Sequence, residues 1–353
     1  MTLRRTLSIA VALGSAACGA ILGDVPEGRA VGEDASIRDD ASIGDDAETS
    51  APEPAVEIWR IENGVVLDMA IDGTSVFWLQ GPPSGEQGFA VKACPKNGGD
   101  ARTIATVPTR PEGLALSDKH AFWSISQDAQ HSGGVWRAEK QGGQPPTAQF
   151  IKREYAGPIT VANGILITGT HKGSIFYDSP EDGETHDRYS GGNVVSMGTS
   201  SSDLYWTLQE DRVILTIPTV RGTWIAGRFA EGFSSPPSFL SFDNGVLYWA
   251  VVTNTRTTIS SKCAAGCEAK EIVTPAAGVA SLAVRNGKLY WAANEQGVAV
   301  LRRCTDLSAR CEPTKPPVWS AAGSEISRIA LDDTDVYFVV RRGNDTYIVK
   351  QAH

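Results

Sequence analysis

Across its 353 residues the sequence has no apolar run near the roughly 18 residues that a membrane-crossing helix requires, so no spanning helix is expected in the mature chain. It also lacks a basic stripe. The net charge is -9, but residues 24–54 alone hold ten acids against Arg29 and Arg38, and Arg4 and Arg5 add two positive charges, which leaves only -3 on residues 55–353. A near-neutral body without clustered Lys and Arg excludes nucleic acid as a partner. Local catalytic signatures are missing as well. The five histidines, His120, His131, His171, His186 and His353, form no His-Glu-x-x-His helix, and there is neither a Gly-x-Ser-x-Gly elbow nor a phosphate-cradling glycine loop.

What is present begins with the address. Residues 1–17 combine a basic start, an apolar stretch from Leu7 to Leu13 and small residues ahead of Cys18, the pattern of a secretory signal peptide. Ser15-Ala16-Ala17-Cys18 resembles a bacterial lipobox, which implies that Cys18 is diacylated and becomes the mature N-terminus; Ser15 stands where that motif more often has Leu. Two other readings stay open: ordinary cleavage with Cys18 incidental, and a twin-arginine signal at Arg4-Arg5, whose flanks match poorly. Gly19 and Ala20 follow the cysteine, with no Asp to retain a lipoprotein at an inner membrane, so the outer membrane is the expected location.

Residues 18–54 then read as a lipidated cysteine and a disordered acidic tether. The segment carries a loose six-residue repeat, EDASIR, DDASIG and DDAETS, is rich in charge and poor in aromatics, and cannot repay its ordering entropy. Its aspartates lack the Asp-x-Asp-x-Asp-Gly spacing of a calcium loop.

From residue 55 onward the chain repeats. The copies IDGTSVFW, LSDKHAFW, VANGILI, TSSSDLYW, FDNGVLYW, RNGKLYW and DDTDVYF end at Trp78, Trp123, Ile167, Trp206, Trp249, Trp291 and Phe338, at intervals of 39 to 47 residues. A period of roughly 40–45 residues with several short strands per unit is that of β-propeller blades. In the fifth copy the four strands are expected at 238–242, 246–252, 257–261 and 270–274. The adjacent aromatics explain themselves in such a fold. Successive side chains of a strand point to opposite faces, and in a radial stack each face meets a neighbouring blade, so both rings of Tyr290-Trp291 can be buried. Seven copies predict an all-β, seven-bladed propeller of four-stranded antiparallel blades over residues 55–353. The last copy ends one strand short, and residues 55–61 (AVEIWRI) are available to close the ring and remove its open edges.

These repeats resemble the propellers of bacterial extracytoplasmic lipoproteins. They are also similar to propellers named for Tyr-Trp-Thr-Asp, but only Tyr205-Trp206-Thr207 approaches that motif, Leu208 replaces its Asp, and those rings have six blades. Either resemblance implies architecture, not activity.

Five cysteines remain after Cys18. In an exported chain the close pairs Cys263/Cys267 and Cys304/Cys311 are expected to form disulfides, each at the turn from a third to a fourth strand. Zinc is the rival reading of four thiols, disfavoured by the lack of a His beside either pair. Cys94 occupies the equivalent turn without a near partner and is expected to be free.

Two functions contend. The favoured one is a non-catalytic binding or protein-interaction scaffold held at the membrane by its lipid anchor. The alternative is an extracytoplasmic hydrolase or lyase with its site at the ring mouth. Seven-bladed lyases with a central histidine and magnesium form a family, yet no local motif here transfers their residues, and no cofactor is expected. His131 and His171 lie in loops on the face where such sites form. Strands alternate direction, so turns after first and third strands share one face, with Asn163-Gly164, Asn244-Gly245, Asn286-Gly287, the cysteine pairs and the tether. The irregular loops at 80–88, 126–134, 153–158, 230–237 and 252–257 share the other, where a protein or glycan partner is expected.

Overall fold

The computed structural model describes residues 54–83, 88–127, 133–142, 151–152, 155–179, 185–189, 191–219, 226–312 and 315–353. The signal peptide, Cys18 and the acidic tether lie outside the described residues.

Seven four-stranded antiparallel sheets follow one another along the chain. Blade five shows the common plan, with strands Pro237–Asp243, Val246–Val252, Thr257–Cys263 and Lys270–Val273 running in order from the inner to the outer edge. Blades one to six begin with inner strands Val65–Ile71, Gly113–Leu116, Ala156–Ala162, Val194–Thr199, Pro237–Asp243 and Val279–Arg285. Blade seven is composite. Its first three strands, Glu325–Leu331, Asp335–Arg342 and Asp345–Ala352, come from the C-terminus, and Val56–Ile61 from the other end of the chain supplies the fourth. Val56 pairs with Lys350 and Ile61 with Thr346. Side chains bind this closure as well: Arg60 pairs with Asp345 at 2.6 Å, and the Thr346 hydroxyl donates to the Gly64 carbonyl at 2.6 Å.

The core is divided among the seams between blades. Seven apolar clusters are present, one per seam. Tyr290 joins blade seven through Phe338 and Val340, whereas its neighbour Trp291 joins blade five through Tyr248 and Ala250. The same division holds for Tyr205 and Trp206, and for Phe77 and Trp78. Trp78, Trp123, Trp206, Trp249 and Trp291 are each 0–1% exposed. At about 200 Å² per ring and ~25 cal/mol per Å², each contributes at most about 5 kcal/mol of burial.

Blade three departs from the sequence alignment by one residue. Counting from Asn163-Gly164 in the register of Asn244-Gly245, Tyr248 corresponds to Ile167, and Trp249 to Thr168 rather than to Ile167. Ile167 accordingly packs toward blade four, and Thr168 is fully buried in the slot that holds an indole elsewhere. The cause is that the turn, not the last apolar side chain, sets the strand register.

Inner strands bend by bulging. Blades one, three, four, five, six and seven each carry a register shift near the start of the inner strand. An extra residue there increases local twist and re-aims side chains around the central channel.

Candidate functional site

The two faces of the ring differ in how they are fastened. On the turn face, five seams are tied among the described residues by side chains from the first turn of a blade. Asp72 pairs with Lys140 at 2.8 Å across blades one and two, and Asp332 with Lys96 at 2.7 Å across blades seven and one. Asn163 donates to the Ser201 carbonyl at 2.6 Å and to the Thr219 hydroxyl at 2.8 Å. Asp243 accepts from the amides of Asn286 and Gly287 at 3.2 and 2.8 Å, and Arg285 donates to Asp333 at 2.7 Å. Asp332 also caps its own turn, accepting from the amides of Thr334 and Asp335 at 2.9 and 2.7 Å. Desolvation opposes its charge, but the Lys96 ammonium and those amides outweigh it and hold the carboxyl well below the ordinary range. These contacts belong to the scaffold.

The cysteines sit where the spacing places them, at the ends of third strands. Cys263 and Cys267 lie with Cα atoms 5.4 Å apart, and Cys304 and Cys311 6.0 Å apart, so both pairs are at disulfide distance. Cys94 ends the third strand of blade one, buried and free, its thiol pushed up to about 11 by burial. One feature of the second pair was not legible in the spacing. Its loop runs along the outer strand of blade five: the Cys311 amide donates to the Ile272 carbonyl at 2.8 Å, and the Lys270 ammonium donates to the Leu307 carbonyl at 2.7 Å. It covers an edge strand rather than only closing a hairpin tip.

On the loop face, His171 stands between blades two, three and four. Its Nε2 meets the Glu112 carboxylate and its Nδ1 lies 3.1 Å from the Asn193 side-chain oxygen. Glu112 holds the imidazole pKa above its ordinary value, against a desolvation that lowers it. Both ring nitrogens are engaged, and through them His171 fastens blades two, three and four. Asn294 does similar work between blades six and seven, its Oδ1 accepting from the Ile326 amide at 2.9 Å. His131 lies outside the described residues, and among these no group of three or more His, Cys, Asp and Glu side chains is placed to hold a metal.

Beside these latches a cleft of about 420 Å³ opens at the mouth of the channel. Blade one contributes Leu67, the connector to blade two contributes Arg110 and Glu112, the second loop of blade two contributes Ser126 and Gln127, and blade seven contributes Arg328. Ser126 and Gln127 belong to the loop at 126–134 that the sequence marks, whereas Arg110 and Arg328 carried no sequence signal. Below the cleft, Arg328 Nε stands 3.6 Å from Asp68 Oδ1. Asp68 accepts from the amides of Leu114 at 2.9 Å and Met69 at 3.0 Å. Burial raises its pKa, and Arg328 and the two amides oppose that rise.

Comparison bears on this architecture. No protein-family model matches the sequence, and no relative emerges among curated proteins. Solved structures are similar in fold. YCF48 from Cyanidioschyzon merolae superposes with a TM-score of 0.61 at 12% identity, over 85% of this chain and 98% of that one. A structure of YCF48 bound to D1 peptide gives 0.57 at 13% identity, over 85% and 94%. BamB from Moraxella catarrhalis gives 0.54 at 11% identity, over 84% and 100%. The likeness is one of fold.

Proposed function

We propose that the chain is a lipid-anchored, extracytoplasmic scaffold whose propeller presents its loop face to a protein partner. The observation that carries this reading is the division of labour between the faces. The closing strand enters the ring at Val56, beside Lys350 near the end of the last strand, and so on the face whose turns are tied blade to blade. In this reading residues 19–54, long enough for a random-coil span of about 30–35 Å, join the lipid to the ring at the point where Val56 enters it. Irregular loops on a rigid ring are where binding commonly resides. Disulfides between Cys263 and Cys267 and between Cys304 and Cys311 accord with an oxidising compartment. Outer-membrane attachment through Cys18 fits the lipobox-like approach, and the similar fold of YCF48 seen with a bound peptide supports a protein over a glycan partner.

The test has two arms. Cys18→Ala is expected to move the protein from the membrane to the soluble fraction, with mass spectrometry of the wild type showing a diacylated N-terminal cysteine. For the face, alanine blocks in 126–134 and 231–237 are expected to abolish capture of the partner found by crosslinking, while blocks in the turns at 244–245 and 264–266 leave it intact. Loss only from the turn-face blocks, with circular dichroism unchanged, overturns the orientation.

A further inference from the structure

The loop-face cleft is chemically specific. Its charge does not follow from what the scaffold needs. In blades four and six the position equivalent to Asp68 is Ser196 and Ser281, whose hydroxyls accept from the next blade's inner strand, at the Leu240 and Ile329 amides, over 3.2 and 3.1 Å. A neutral oxygen therefore suffices for the latch that Asp68 makes with Leu114. Asp68 and Arg328 are thus a charged pair added to the channel wall, and a loose one, since 3.6 Å exceeds a hydrogen bond.

Arg328 Nη1 reaches the Ser327 carbonyl at 3.3 Å, which leaves donors of the guanidinium fork open toward the cleft. Arg110 is exposed on the connector and has no carboxylate partner among the described residues. The acid nearest it in the cleft, Glu112, is drawn aside by His171, and the Asp68 carboxylate is engaged by two backbone amides. Arg328 and Arg110 thus line the same small space, together with Ser126, Gln127 and the apolar Leu67.

We infer that this cleft, between blades seven, one and two, binds a carboxylate carried on an extended peptide, with Arg328 and Arg110 as its anchors. The inference rests on the reading of the loop face as the binding surface. Guanidinium forks match carboxylates in bidentate geometry, and the dimensions suit a short peptide segment rather than a domain.

Fluorescence anisotropy with a panel of labelled hexapeptides tests it. One member has internal Asp and Glu with an amidated end, a second has Asn and Gln in their place, and a third is neutral with a free C-terminal carboxylate. At least one carboxylate-bearing member is expected to bind tenfold or more tightly than the amidated Asn/Gln member, and which one binds tells side chain from terminus. Arg110→Gln and Arg328→Gln are each expected to weaken it about tenfold, while Lys315→Gln, outside the cleft, changes nothing. Asp68→Ser restores the neutral latch and removes the competing acid, so it is expected to tighten binding several-fold with near-ultraviolet circular dichroism preserved. Inorganic phosphate competing as well as the peptide overturns the assignment to a peptide carboxylate. Equal binding of acidic and amide peptides, indifference to both arginine changes, or no binding by any member overturns the inference. Charge-independent binding that the 126–134 alanine block abolishes overturns it too, yet leaves the scaffold reading standing; charge-independent binding that the block does not touch counts against both.

Discussion

Single residues show which groups serve the ring and which are spare. Asp332 is held ionised by Lys96 and two amides, its carboxyl depressed below the ordinary value of about 3.9. A depressed carboxyl stabilises the fold fully above that ordinary value, and the contribution is lost as pH falls toward the folded one. Asp332→Asn, which leaves the part-buried Lys96 unpaired, is expected to cost about 2–3 kcal/mol at pH 7. Chemical denaturation of both proteins at pH 7 and pH 3 checks this, the gap narrowing in acid. Thr168 is the opposite case. Its hydroxyl is buried without a hydrogen-bond partner among the described residues, in the slot filled by Trp in blade five. Thr168→Val keeps the shape and removes the stranded oxygen, and is expected to be neutral or to stabilise by up to about 1 kcal/mol in the same measurement.

Among the elements, the closing strand Val56–Ile61 has the most to do. It is held along one edge by Asp345–Ala352, and its Ile58, Ile61 and Trp59 pack into the seam shared with blade one. Trp59 lies 6.4 Å from Trp78, centroid to centroid. Without this strand, blade seven would end in an unpaired edge while the seam to blade one lost its outer packing. A chain beginning at residue 62 is therefore expected to melt at lower temperature and to associate through the exposed edge, which calorimetry and light scattering would show. An unchanged melting temperature and a monomeric chain would count against the closing role. The loop that joins Cys304 to Cys311 protects another edge, that of Lys270–Val273 in blade five.

For the molecule as a whole, the consequence is polarity. Strand alternation places every first turn and the chain's entry at Val56 on one face, and the second loops on the other. The tied turns resist remodelling because each is held by the next blade. On the loop face the ties among the described residues include those of His171 and Asn294 and the Arg212 guanidinium, which donates to the Ser234 carbonyl at 3.2 Å between blades four and five. The alanine-block comparison, with partner capture lost from the loop face alone, is the expected signature of this arrangement.

Much of this was already determined by the sequence: the period, the blade count, the shared closure and the placing of the cysteine pairs. Each depends on local facts, namely turn residues, alternation of side chains and adjacency of aromatics, that a strand carries wherever it lies. Blade three shows the limit, since without its indole the copy aligned to Ile167, and only strand pairing revealed Thr168 in the slot. Apart from its 126–127 edge, which lies in a loop the sequence marks, the cleft was decided by tertiary structure. Arg110 and Ser126 lie more than 200 residues from Arg328, neither arginine follows any spacing, and nothing local distinguishes Asp68 from any strand aspartate. They meet because the ring closes, bringing blade seven beside blade one, and because bulges in the inner strands turn Asp68 and Arg328 toward each other at the channel wall.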